Sequence, residues 1–205
     1  MKHRVLAAVA VVAGWAVAAM PARAQRIGVF FDAQATVCEA PILPFQSVHV
    51  WLFAFPPPDS VVNGVALKLQ LPPSMFIRDG SVRLPRNPRV SSTTGDFLGG
   101  ITIHYGNCIT GISPLLVAEM DLDDRYLFGM RSDLRVTLVG VATDSIAVIV
   151  PEILICDPGD PLGAERGRLQ APSIDAVFNC TAHCGCTTAL RPRSWSEMKF
   201  LYRER

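Results

Sequence analysis

Short strand-length apolar segments, cut repeatedly by Pro, Gly, Asp and Asn, predict an all-β protein built as an antiparallel β-sandwich. Two further observations carry that prediction. Residues 65–71 alternate cleanly, with Val65, Leu67, Leu69 and Leu71 on one side and Lys68 and Gln70 on the other, the period of a half-buried strand. Nowhere do helical patterns alternate with strands, which disfavours a parallel α/β sheet.

The first predicted strand, residues 27–31, is a β-branched and aromatic run closed by Asp32. Residues 46–55 read as a strand apolar on both faces, with Val48, Val50, Leu52 and Ala54 opposite Trp51, Phe53 and Phe55. Pro56, Pro57 and Pro58 stop it, because proline supplies no ladder donor. Pro72 and Pro73 likewise end the alternating strand. The same criteria place strands at 76–84, 100–105, 115–121, 134–142, 146–155 and 174–178. Only the C-terminal tail reads as helix: Ser194 and Glu197 form a capping box, and Trp195, Met198, Leu201 and Tyr202 fall on one side. A helix this short is marginal alone in water, so its apolar stripe needs a surface to pack on.

The N-terminus carries an address. Lys2, His3 and Arg4 precede an apolar run from Val5 to Ala19, and Ala22-Arg23-Ala24 offers a small-x-small cleavage site before Gln25, the pattern of a signal peptide. The expected organisation is a signal peptide at 1–24, a β-sandwich at 25–180, and a Cys-x-Cys segment with an amphipathic tail at 181–205. Cleavage removes Lys2, Arg4 and Arg23, so 16 basic residues (19 − 3) face 18 acidic ones, a formal charge of −2. That balance favours neither nucleic acid nor anionic lipid as a partner. No second apolar run approaches the length of a membrane-spanning helix, so the mature chain is expected to be periplasmic or extracellular.

Export gives the cysteines a meaning, since thiols outside the cytosol pair into disulfides. The candidates are Cys38, Cys108, Cys156, Cys180, Cys184 and Cys186, and six cysteines allow 15 pairings. A metal is the alternative, because Cys180, His183, Cys184 and Cys186 gather zinc- or copper-type ligands. Their spacing is not that of a zinc ribbon, and export favours oxidation, so no cofactor is expected.

Other constellations read more plainly. Asp121, Asp123 and Asp124, or Asp157, Asp160 and Glu165, offer oxygen ligands for calcium but fit no EF-hand spacing, and solvated turns are the default. No nucleophile elbow, zinc-protease helix or phosphate loop occurs. Ser196-Glu197-Met198-Lys199 matches S-x-x-K without its partner motifs and reads as chance. His49 and His104 lie within apolar strands, where a packed or edge imidazole is ordinary. Trp51, Phe53 and Phe55 form a one-sided aromatic stripe, readable as a sugar-stacking row but better as core packing, because the opposite face is apolar too. Asn179-Cys180-Thr181 fits a glycosylation sequon that a paired Cys180 would hinder.

Together several motifs resemble a family of uncharacterised exported bacterial proteins: I-G-V-[FY]-x-D at 27–32, T-x-C at 36–38, Y-G-x-C at 105–108, a strand ending in Cys156, C-x-C at 184–186, and W-x-x-x-K-x-L-Y-R at 195–203. Relatives often carry another cysteine between the Y-G-x-C and the strand-end cysteine; this chain has none there and has Cys180 instead. The resemblance implies an immunoglobulin-like or cohesin-like sandwich and implies no activity. With Cys38 and Cys108 each in a family motif, and Cys156 and Cys180 at adjacent predicted strand ends, the expected pairs are Cys38–Cys108 and Cys156–Cys180. Cys184 and Cys186 would then pair with each other, in a tight ring that leaves exchange with Cys38 or Cys180 open.

The functional expectation is a non-enzymatic exported binding or structural module with a protein or glycan partner. Its alternative is a carbohydrate- or calcium-dependent adhesion module. The tail has two fates, packing on the sandwich or docking on a partner or envelope surface. Docking is favoured because Pro192 and the C-x-C separate the tail from the last strand, and its basic residues add attraction to acidic groups.

Overall fold

A computed structural model of the chain describes residues 25–125, 132–141, 150–157 and 165–181. In them the strands are β1 (Arg26–Phe30), β2 (Glu39–Ala40), β3 (Ser47–Phe55), β4 (Val61–Gln70), β5 (Met75–Ile77), β6 (Val90–Asp96), β7 (Gly100–Thr110), β8 (Leu115–Asp124), β9 (Leu134–Val139), β10 (Glu152–Cys156), β11 (Glu165–Gln170), β12 (Ser173–Ile174) and β13 (Ala176–Phe178).

These strands form two sheets. The five-stranded sheet runs β12-β1-β3-β8-β5; the other runs β11-β10-β4-β9-β13-β2, with β7 also on β4 and β6 on β7. Most pairings are antiparallel; β1–β12 and β13–β2 are parallel. Alternate residues explain how the sheets close. Val29, Val50, Leu52 and Met120 from the first sheet share one buried cluster with Leu67, Ile103, Leu138 and Ile153 from the second. This is the predicted sandwich: each strand turns one face into a common core and the other away from it.

Several expected strands change length. The segment predicted at 76–84 forms only β5 plus an isolated bridge from Arg83 to Glu119, because the chain turns away at Asp79 and Gly80. β7 runs to Thr110, well past the expected end at Tyr105, and β4 begins at Val61. β2, β6 and β11 were not expected; β6, VSSTTGD, lacks the apolar alternation that marks a half-buried strand because it is an exposed edge.

The disulfide expectation is corrected. Cys108 is bonded to Cys156, with Cα atoms 6.2 Å apart, so neither Cys38–Cys108 nor Cys156–Cys180 forms. The added length of β7 is the reason. It carries Cys108 beside the start of β4, and β10 brings Cys156 to the same place, with its Sγ 3.6 Å from the Val61 carbonyl oxygen. Cys38 and Cys180 are each disulfide-bonded as well. Their backbones run close: Val177 N–H donates to the Cys38 carbonyl at 2.8 Å and Asn179 N–H to that of Ala40 at 3.0 Å. Cys184, Cys186 and the tail residues Trp195, Met198, Leu201 and Tyr202 lie outside the described residues.

Candidate functional site

The outer face of the five-stranded sheet, turned away from the common core, carries side chains that the core does not need. On β3 these are Ser47, His49, Trp51, Phe53 and Phe55, opposite Asp123, Asp121, Glu119 and Leu116 on β8. A β-bulge makes this row possible. Leu52 pairs with Ala118 and Phe53 with Leu116, so Val117 is the extra residue. A strand side chain changes face at every step, and the inserted residue lets Leu116 share a face with Glu119, Asp121 and Asp123.

One half of the row is closed. Phe30, Cys38, Phe53 and Ile174 form a second buried cluster, with Trp51, Phe55, Leu116 and Ala35 partly buried around it. Phe30 meets Phe53 edge-on at 6.0 Å and Phe55 at 5.8 Å. Gly28 is required here, since a Cβ would stand 2.7 Å from the Phe30 ring and 2.8 Å from Ile174. The Arg26 guanidinium lies 5.7 Å from the Phe55 centroid. The aromatic stripe therefore packs, as expected, but in a cluster of its own outside the main core. Its rings are locked edge to face and do not offer a flat three-ring row for sugars.

The other half is open and polar. His49 Nδ1 lies 2.6 Å from Asp121 Oδ1, and Nε2 lies 3.3 Å from Glu119 Oε2. The three side chains keep 32%, 32% and 29% of their surface exposed, in the order His49, Asp121, Glu119, so the group is reachable from solvent. Trp51 stands edge-on to the imidazole at 4.3 Å and is half-buried. Below them Asp123 pairs with Arg78 at 3.0 Å. The Ser47 hydroxyl, and then the Arg78 guanidinium, hold the Asp123 carboxyl below the usual carboxylate range. Ser81 Oγ accepts from the Asp121 N–H at 3.1 Å, steadying β8 under the group.

Both imidazole nitrogens face carboxylates, Nδ1 that of Asp121 and Nε2 that of Glu119. A half-buried indole beside a polar, ion-paired rim is the composition of a contact centre. His49, expected to be merely packed or at an edge, turns out to organise the group. Glu119 went unnoticed in the sequence: alternation alone puts it on the face of Asp121 and Asp123, but only the pairing of β8 with β3 sets it beside Trp51 and His49.

The remaining candidates separate. Asp121 and Asp123 point outward and are engaged by His49 and Arg78, whereas Asp124 is buried on the opposite side, so the three do not converge as calcium ligands. Glu165 pairs with Arg168 at 2.7 Å; Asp160 lies outside the described residues. His104 Nδ1 lies 3.2 Å from Asn63 Oδ1. Asn179 spends its side-chain amide on Ile42, accepting from its N–H at 2.8 Å and donating to its carbonyl at 3.0 Å, which pins the chain in place of presenting the amide for glycosylation. Tyr105, of the Y-G-x-C motif, points into the main core, where burial pushes its phenol well above the ordinary range.

No protein-family profile and no curated protein matches the chain. Among solved structures it is similar to a non-cellulosomal cohesin from Archaeoglobus fulgidus, at 13% identity and TM-score 0.45, covering 89% of this chain and 99% of that one. It is also similar to the third ScaB cohesin of R. flavefaciens, solved with a group 1 dockerin, at 8% identity and TM-score 0.47, covering 78% and 98%. A third is BcpA, the major pilin subunit of Bacillus cereus, at 11% identity and TM-score 0.43, with 77% of this chain matched to 40% of that one. At such scores the likeness decides neither partner nor activity.

Proposed function

We propose that this protein is an exported, non-enzymatic binding module that engages a protein partner through the outer face of its five-stranded sheet, centred on Trp51. One observation carries the reading: a half-buried indole set against His49, with Glu119 and Asp121 bracketing the imidazole on a solvent-facing sheet. An aromatic anchor that loses its remaining water on docking, ringed by polar groups that fix orientation, is how a small contact area acquires energy and specificity. The Cys108–Cys156 bridge and the bonded Cys38 and Cys180 fit an oxidising compartment, in keeping with the signal-like N-terminus. The amphipathic tail would then hold the module at its place of work.

The glycan reading stays the alternative, with Trp51 as a single stacking ring. A combined protein and glycan array probed with wild type and Trp51→Ala tests both. The expected result is a protein ligand whose signal falls at least about tenfold in the variant, a loss of about 1.4 kcal/mol, while the variant loses some stability with the indole's packing but stays folded. A neutral-glycan ligand lost in the same variant would replace this reading with the alternative. Ligands bound equally by both proteins would refute the assignment of the face.

A further inference from the structure

Between the bridge at Arg83 and the start of β6, the chain reads Arg83-Leu84-Pro85-Arg86-Asn87-Pro88-Arg89-Val90. This strap crosses from the five-stranded sheet, where Arg83 and Glu119 exchange backbone hydrogen bonds of 2.8 and 2.9 Å, to the other sheet, where Gly106 N–H donates to the Arg89 carbonyl at 2.9 Å. Leu84 and Val90 pack against the main core and anchor its two ends. Arg86 and Arg89, at the two ends of the turn between them, are exposed. Neither guanidinium has an ion-pairing or hydrogen-bonding partner among the described residues.

Two adjoining depressions of about 730 and 570 Å³ lie along this strap and share Arg86, Arg89, Val90 and Ser91. Beyond the arginines their lining is mixed: hydroxyls and amides, including Thr93, Asn107 and Thr110, alternate with apolar groups such as Leu84, Pro88 and the exposed Ile112, and no acidic side chain takes part. A protein whose overall charge is near zero thus holds two unneutralised guanidiniums over a shallow trough of mixed polar and apolar lining.

We propose that this trough binds an acidic polysaccharide, at a site separate from the Trp51 face. The guanidinium fork pairs with carboxylates in a fixed geometry, which fits uronate-type groups spaced along a chain. The hydroxyls and amides of the lining match sugar hydroxyls, whereas Ile112 is the single large exposed apolar side chain among the described lining residues, too little to insert into a lipid surface. Two depressions that meet at one turn suit an extended ligand running past it better than a compact one.

Binding of the purified protein to polygalacturonate tests this, with dextran as the neutral control and polyglutamate, phosphatidylglycerol vesicles and duplex DNA as competing anions. Polygalacturonate should bind and dextran should not. Binding should weaken with salt and fall at least about tenfold in the Arg86→Gln/Arg89→Gln double variant, each single variant lying between. The arginine side chains are exposed and make no ion pair or hydrogen bond among the described residues, so the melting temperature should hold, and the singles serve if the double variant does not fold. Trp51→Ala should leave this binding intact, separating it from the proposed protein contact. No binding to polygalacturonate, binding indifferent to both arginines, or equal binding to polyglutamate, vesicles or DNA would overturn the proposal.

Discussion

Single residues decide how the edges of this sandwich are finished. Asp32 closes β1 by taking three hydrogen bonds: Thr36 N–H at 2.9 Å, Thr36 Oγ1 at 2.6 Å and Val37 N–H at 2.6 Å. Its partial burial works against the charge, but the Thr36 hydroxyl and the Val37 and Thr36 amides outweigh it and hold the carboxyl below its ordinary range. A carboxylate depressed in the folded state stabilises the protein above the unfolded pKa of about 3.9, and that contribution is lost as pH falls through the folded value. Asp32→Ala should therefore cost about 0.5–1.5 kcal/mol at pH 7 and much less near pH 2. Thermal melts of both proteins across that range check it, and an equal gap at all pH values would contradict it. Asp32 was legible in the sequence as a strand terminator, because an aspartate after a β-branched run is turn chemistry. His49 was legible only as a strand residue: its carboxylate partners sit some 70 positions away in sequence, at separations of 70 and 72.

At the scale of strands, strong apolar signals locate the elements: the β-branched run at Ile27 gives β1, the doubly apolar run around Val50 gives β3, and the alternation around Leu67 gives the body of β4. What escaped were features with no apolar period. The exposed edge strand β6 shows none, and the bulge at Val117 looks locally like unbroken strand. The polar end of β7, Gly106-Asn107-Cys108, hid the pairing that brings Cys108 to Cys156. That bridge closes a sequence separation of 48 residues, which in the chain-entropy description is worth about 4 kcal/mol. Cys108→Ala/Cys156→Ala should lower stability by roughly 2–5 kcal/mol, read from denaturant unfolding under non-reducing conditions. A change below about 0.5 kcal/mol would show that β4, β7 and β10 hold together without it.

The whole molecule divides its labour between faces. Two sheets share one core, a second aromatic cluster seals part of the outer surface of the smaller sheet, and the group of His49, Glu119 and Asp121 beside Trp51 remains open. The all-β class and the sandwich were readable from punctuation and alternation. Which outer face would carry the contact was not, because it depends on how β3 and β8 pair. The central claim is that this face makes the contact, and amide hydrogen exchange of the protein with and without the ligand retained on the array tests it most directly. The account predicts slowed exchange concentrated in β3 and β8 around Trp51 and Glu119, abolished in Trp51→Ala. Protection confined to β6, β7 and the arginine strap, with β3 and β8 unchanged, would contradict it.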